Sequence, residues 1–206
     1  MVGINNSILI EYDDLESIIY LLKNVTEIDL SGYSKSSLKR RIERFLQVEK
    51  MDVVDLKNAI VNVKDFHNYF IQELVVNVTE MFRDPQFYVS LKKNVIPYLK
   101  TYPQIRIWSA GSSTGEEAYS TTILLNEMGI LDRSFIYGTD ISPRALEIAR
   151  KGVYSLNKIK SYTENYLQTK PVSDFSSHYT AMYDAAIINK EYRSKVLFST
   201  HNLVSD

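Results

Sequence analysis

Cysteine does not occur among the 206 residues. Its absence excludes disulfides, thiolate metal sites and a cysteine nucleophile. Histidine is scarce: His67, His178 and His201 are far apart, so no metal centre is predicted. An excess of one charge is also lacking. The 24 basic and 25 acidic residues nearly cancel, which removes the electrostatic basis for a general nucleic-acid binder. No apolar run reaches membrane-spanning length. The N-terminus lacks the basic-then-apolar pattern of an export signal. A soluble cytoplasmic protein without membrane insertion is expected. Internal repeats and low-complexity segments are absent.

What is present supports a sizeable core, since 45% of the residues are hydrophobic. The first ~75 residues read as short amphipathic helices. Asp13 or Asp14 can cap one helix, with Leu15, Ile18, Ile19 and Leu22 on its inner face. Ser36 or Ser37 can cap a second, with Leu38, Ile42, Phe45 and Leu46 inside. Asp52 can cap a third, burying Val53, Leu56, Ile60 and Val63, and a fourth is predicted over about Asp65–Val76. A helical domain is therefore expected over residues 1–76. The pattern changes after Val76. Asn77–Arg83 reads as a linker, and Asp84-Pro85 starts a helix, with aspartate at the cap, that Pro97 bends or ends. Strand Ile105–Ser109, a helix over about Thr114–Met128, strand Phe135–Thr139 and helix Arg144–Lys151 follow. Strands alternating with helices predict a parallel sheet over residues 77–206. Tyr179–Met182, Ala185–Ile188 and Lys195–Phe198 are further candidate strands, and Trp108, inside a strand, is expected in the core.

The segment IRIWSAGSSTGEEAYS at Ile105–Ser120, followed by FIYGTD at Phe135–Asp140, carries the chemistry. Strand, glycine turn, helix, strand and terminal carboxylate form a layout that binds adenosine. Ala110, Gly111 and Gly115 let backbone approach a ligand closely. The spacing is not the G-x-G-x-x-G that seats a pyrophosphate on a helix N-terminus. Glu116 and Glu117 stand there instead and would repel a diphosphate. They suit a cationic, phosphate-free cofactor such as S-adenosylmethionine. The same acids would also favour the helix dipole while remaining solvated. Asp140 fits ribose hydroxyls, or a helix cap that Ser142 can supply in its place.

These blocks resemble the CheR-type glutamate methyltransferases of chemotaxis receptors. The resemblance rests on NVTEMFRDPQFY at Asn77–Tyr88, IWSAGSSTGEEAYS at Ile107–Ser120, YGTDISPRALEIARKGVYS at Tyr137–Ser155 and VLFSTHNL at Val196–Leu203, in family order. DLSGYSKSSLKRRIERF at Asp29–Phe45 is similar to the family's N-terminal helical signature. It implies a Rossmann-like α/β methyltransferase domain preceded by a small all-α domain. It implies S-adenosylmethionine as donor, S-adenosylhomocysteine as product, and glutamates on the cytoplasmic helices of methyl-accepting chemoreceptors as acceptors. Asn77, Thr79 and Arg83 match the cofactor-contacting stretch, with Arg83 also oriented toward catalysis. Gly111 lies in the cofactor turn, Glu117 matches the acid near the methionine moiety, Asp140 the ribose acid, and Asn202 and Leu203 the pair beside adenine. Ser112, Met81 and Ala118 depart from the family's common cysteine, aromatic and proline, altering packing more than chemistry. The family continues past the position of Asp206 with a core strand and further cofactor residues. An incomplete methyltransferase domain with weakened methyl transfer is thus expected.

Within Lys35–Arg44, five residues are basic (Lys35, Lys39, Arg40, Arg41, Arg44) and Glu43 is acidic. A solvated helix face is one meaning of such a run. The resemblance implies another, docking of Arg40, Arg41 and Arg44 on acidic receptor helices. It also places a small antiparallel subdomain at about residues 175–195. Two other functions remain to be weighed: a non-catalytic module that binds receptor helices or S-adenosylhomocysteine, and a nucleotide-dependent oxidoreductase, which the paired acids disfavour.

Overall fold

The computed structural model describes residues 9–26, 28–74 and 79–203. The chain divides into two compact units, one comprising Met1–Val76 with Asn202–Asp206 and the other Asn77–His201.

The first unit contains four helices: α1 (Tyr12–Thr26), α2 (Lys35–Glu49), α3 (Val53–Asn62) and α4 (Phe66–Leu74). The apolar spacings predicted for α1 and α2 are buried as whole stripes: Leu15, Ile18, Ile19 and Leu22, then Leu38, Ile42, Phe45 and Leu46. Phe45 packs edge-on against Phe70 at 4.8 Å between ring centroids. Asp52 caps α3, accepting from the Asp55 backbone N–H, while the Asp55 side chain reaches back to the Asp52 N–H. Three expectations fail here. Asp13 and Asp14 do not cap α1, which already begins at Tyr12; both lie inside its first turn. Helix α2 begins two residues earlier than a Ser36 cap would allow and three earlier than a Ser37 cap would, with Ser34 at the cap and its hydroxyl paired to that of Ser36. Val63 is exposed, because α3 ends at Asn62 and the chain turns extended; Ala59 joins Leu56 and Ile60 inside instead.

The second unit opens with α5 (Pro85–Ser90), which widens into a π-helical turn at Leu91–Val95 and resumes as α6 (Ile96–Leu99). Pro97 explains the widening. It has no N–H, and its ring crowds the carbonyl four residues back, so the preceding amide of Ile96 bonds to Leu91 O, five back. The helix is thus distorted ahead of Pro97 and ends two residues after it, at Leu99, in keeping with the reading that Pro97 bends or ends it. Asp84 holds the cap position of α5 with Pro85 next to it, as predicted, but its φ is 56° and its side chain makes no cap hydrogen bond. The expected linker before it is also no linker where it is described. Met81 and Phe82 are fully buried, and the Phe82 N–H donates to Ser120 Oγ at 2.8 Å.

Strands β1 (Ile105–Ala110), β2 (Ser134–Asp140) and β6 (Val196–Thr200) form a parallel sheet in the order β1-β2-β6. Helices α7 (Glu116–Glu127) and α8 (Pro143–Lys151) connect and cover it. Strand β3 (Val153–Ser155) leads into α9 (Leu156–Gln168). It pairs with β5 (Ala185–Ile188), which pairs in turn with β4 (Tyr179–Ala181), all antiparallel, before the short α10 (Lys190–Arg193). The antiparallel sheet thus includes β3, outside the expected 175–195 window.

Trp108 is not core. It is 56% exposed, because alternation along β1 turns Ile105 and Ser109 to the helices and Trp108 to the open face. By register it sits beside Tyr137, which sits beside Leu197, on that face. No described helix is long and apolar enough to cross a membrane.

Candidate functional site

Strand β1 ends in the turn 111–115 because two glycines adopt backbone that other residues resist. Gly111 has φ 70° and Gly115 φ 91°. Their surroundings differ. A Cβ on Gly111 would meet nothing within 4 Å, whereas one on Gly115 would lie 2.9 Å from Ala149 Cβ and 3.0 Å from the Phe198 ring. Gly111 therefore faces open space beside the sheet's carboxyl edge. Gly115 lets α7 pack directly on α8.

The end of β2 holds the turn in place. Ser112 N–H donates to Thr139 O at 2.8 Å, and Ser113 N–H donates to Asp140 Oδ2 at 2.8 Å. The other carboxylate oxygen of Asp140 accepts from Ser142 N–H at 2.9 Å. Ser142 Oγ in turn caps α8 through Ala145 N–H, as its position predicts. Asp140 is thus buried and bonded to two backbone amides, while a carboxylate retains further acceptor sites. The fully buried Ser112 Oγ has no hydrogen-bond partner among the described residues.

The adjacent acids separate. Glu117 is exposed, and its Oε1 accepts from Ser109 Oγ at 2.8 Å. Glu116 is wholly buried. Its Oε1 accepts from Tyr162 Oη at 2.9 Å and lies 3.5 Å from Lys158 Nζ. Its Oε2 accepts from Thr114 Oγ1 at 2.5 Å. Tyr154 Oη donates to Thr114 O at 2.7 Å. Burial raises both phenols well above their ordinary value, with the Glu116 charge adding to it, so both remain neutral donors. Sequence reasoning missed Tyr154 and Tyr162. A stripe of Ile159, Tyr162 and Tyr166 along α9 was the available signal.

Arg83 is exposed and stands between Phe82 (φ 53°) and Asp84 (φ 56°), two left-handed residues in succession around it. Such backbone costs energy and persists only where packing imposes it; here the burial of Met81 and Phe82 does so. Thr79 is half-buried ahead of them, and Asn77 lies outside the described residues. Asn202 is buried and Leu203 exposed, and both group with the first unit. In the first unit, Arg40 and Arg44 are exposed on α2. Arg41 differs: its Nη1 donates to Leu74 O at the end of α4, a structural tie within the bundle. Lys39 pairs with Glu43.

The turn accordingly gathers Gly111, Glu117 and Asp140, together with the unpartnered Ser112 hydroxyl. An open glycine, an exposed carboxylate and a buried acid at the end of β2 are compatible with a cationic adenosyl cofactor. The buried Glu116 leaves no anion seat at the start of α7. A cleft of 430 Å³ lined by Arg106, Arg133, Phe135, Tyr137 and Lys195 lies at the opposite, amino end of the parallel strands. Ligands of open α/β sheets bind at the carboxyl end, so the turn is the better site. Among the described residues, no group of three His, Cys, Asp or Glu side chains could hold a metal ion.

Comparison with known proteins agrees with this geometry. Residues 77–206 match the family model of the CheR methyltransferase, SAM binding domain, and residues 13–74 match the CheR methyltransferase, all-alpha domain. A Pseudomonas putida protein named as methyltransferase Cher3 is 41% identical over 179 residues, 86% of this chain and 66% of that protein. A Listeria innocua chemotaxis protein methyltransferase is 28% identical, with 90% of this chain and 69% of the relative covered. The Salmonella typhimurium chemotaxis protein methyltransferase is 30% identical over 66% of this chain and 45% of its own. The chain spans about two thirds of the length of the first two of these relatives. With both family models matched in order over nearly its whole length, the chain belongs to the CheR methyltransferase family.

Proposed function

We propose that the protein is a protein-glutamate O-methyltransferase that uses S-adenosylmethionine and acts on chemoreceptors in the cytoplasm. The observation that carries the reading is the turn itself: Gly111 open, Glu117 exposed and Asp140 at the end of β2, inside the segment matched as a SAM binding domain. The relatives' name, chemotaxis protein methyltransferase, supports the substrate class.

When bound, the cofactor supplies a methyl group activated by a sulfonium. The protein's own demands are then modest. A glutamate acceptor is already ionised at neutral pH, so no general base is required. What the chain must supply is position and exclusion of water. Asp140 would meet the ribose and Glu117 the ammonium of the methionine moiety. Thr79, with Asn77 just before it, would line the cofactor on the side of Arg83. Arg83 can hold the acceptor carboxylate by a bidentate pair. Asn202 and Leu203 would flank adenine. Arg40 and Arg44, on the exposed face of α2, would meet acidic receptor helices, with Arg41 contributing to the bundle instead.

Two measurements test the reading. Calorimetric titration with S-adenosylhomocysteine should show one site, weakened by Asp140→Asn and Glu117→Gln. Transfer of labelled methyl from S-adenosylmethionine to a chemoreceptor signalling domain should be base-labile, as an ester is, and lost in Arg83→Ala. Binding of NAD in preference to S-adenosylhomocysteine, or label on another residue type, would overturn it.

A further inference from the structure

The acid that faces the candidate cofactor is held by an acid that does not. Helix α7 starts without a side-chain cap, since Gly115 occupies the cap position at φ 91°. The fully buried carboxylate of Glu116 follows at once, and its contacts run outward from the helix. Tyr162 and Lys158 of α9 meet one oxygen and Thr114 meets the other. Tyr154 of β3 binds the Thr114 carbonyl from the same side. Residues on both flanks of Gly115 are therefore fastened to β3 and α9.

A helix advances about 100° per residue. Fixing Glu116 toward α9 therefore fixes the azimuth of Glu117, whose carboxylate is held at its other side by Ser109 Oγ at 2.8 Å. A buried carboxylate is costly unless each oxygen is bonded, and here each is. Glu117 alone could complement the dipole of α7, so a second, buried acid is not needed to start the helix. We propose that Glu116 is a positioning residue: tied to Tyr162, it sets the first turn of α7 so that the Glu117 carboxylate points into the cofactor site. It touches no ligand itself. The proposal rests on the reading of the turn as the S-adenosylmethionine site.

The test compares Glu116→Gln and Tyr162→Phe with Tyr192→Phe. Tyr192 is an equally buried phenol that secures the far end of α7, through Asn126 at 3.2 Å, and meets His178 at 2.7 Å. For each variant, thermal stability is measured, and affinity for S-adenosylhomocysteine and for adenosine is titrated. Glu116→Gln and Tyr162→Phe should weaken S-adenosylhomocysteine about tenfold, the effect of misdirecting one charge-assisted bond. Adenosine, which lacks the methionine moiety, should weaken by less than about threefold. The double variant should lose no more than the larger single loss. Tyr192→Phe should leave both affinities within about twofold whatever its melting temperature. If affinity follows melting temperature alike in all three, or adenosine weakens as much as S-adenosylhomocysteine, Glu116 is merely structural and the proposal fails. If the wild-type protein binds neither compound, the cofactor reading falls first and this proposal falls with it.

Discussion

Alanine at Gly111 and at Gly115 separates what the turn needs for its own folding from what it leaves for a ligand. Both glycines have positive φ, 70° and 91°. A left-handed backbone costs an ordinary residue about 1–2 kcal/mol, partly offset by about 0.5 kcal/mol because alanine restricts the unfolded chain. Gly111→Ala carries only this cost, since its new methyl meets nothing within 4 Å. About 1 kcal/mol of destabilisation is expected. Gly115→Ala adds overpacking, because the methyl would lie 2.9 Å from Ala149 Cβ and 3.2 Å from its backbone Cα. Backbone cannot swing aside as a side-chain tip can, so a further 1–3 kcal/mol or so is expected. Urea unfolding followed by Trp108 reads the second unit alone, since Trp108 is the single tryptophan of the chain. The binding order should be the reverse of the stability order when each is judged against its fold cost. Gly111→Ala should lose S-adenosylhomocysteine affinity while remaining nearly as stable as wild type, because its methyl enters the ligand's space. Equal urea midpoints for the two variants would refute the packing argument. Unchanged affinity in Gly111→Ala would refute the placement of the ligand.

Four further outcomes are expected. Ser112→Ala should stabilise the second unit by about 1 kcal/mol in the same urea assay, because it removes a buried hydroxyl that has no partner among the described residues. Asp52→Ala should cost the helical unit about 1 kcal/mol, read by circular dichroism, by deleting one half of the α3 capping box. Burial holds His178 below the ordinary histidine value of 6.5, so below that pH the unfolded chain binds the proton that the fold resists. Stability should therefore fall as pH drops through 6.5 and level off below the folded value, and His178→Gln should flatten that part of the urea-midpoint profile. Arg40→Glu with Arg44→Glu should weaken binding to an acidic chemoreceptor helix at low salt, with the difference fading as salt rises; unchanged binding would remove α2 from the docking surface.

Periodicity made the helical unit readable because each of its helices buries one stripe against its neighbours. Spacing alone located the stripes of α1 and α2, and the Asp52 cap was legible because its partners lie within three residues. The strand–turn–helix–strand layout was legible for the same reason, being local and carried by glycines. Failures came where a distant partner decides. Trp108 is exposed because it lies on the face of the sheet turned away from α7 and α8, which β1 alone cannot reveal. Met81 and Phe82 looked like linker because their burial depends on α7 and α9, residues 38 or more positions away.

The acidic pair shows how far a motif can be taken. Glu116 and Glu117 are chemically identical neighbours, and their sequence places both at a ligand-facing helix start. Their environments are opposite: one is fully buried against Tyr162 and Thr114, the other exposed beside a serine. The choice is made by elements outside the motif. Gly115 brings α7 against Ala149 of α8, and Tyr154 and Tyr162 arrive from β3 and α9 to occupy the inner side. Only the outer acid is then left to meet a cation. Repulsion of a diphosphate by two solvated acids, the argument available from sequence, is therefore only half of the physics. The inner acid is committed to Tyr162 and Thr114 inside the fold, and under the proposed function the outer one alone would favour positive charge.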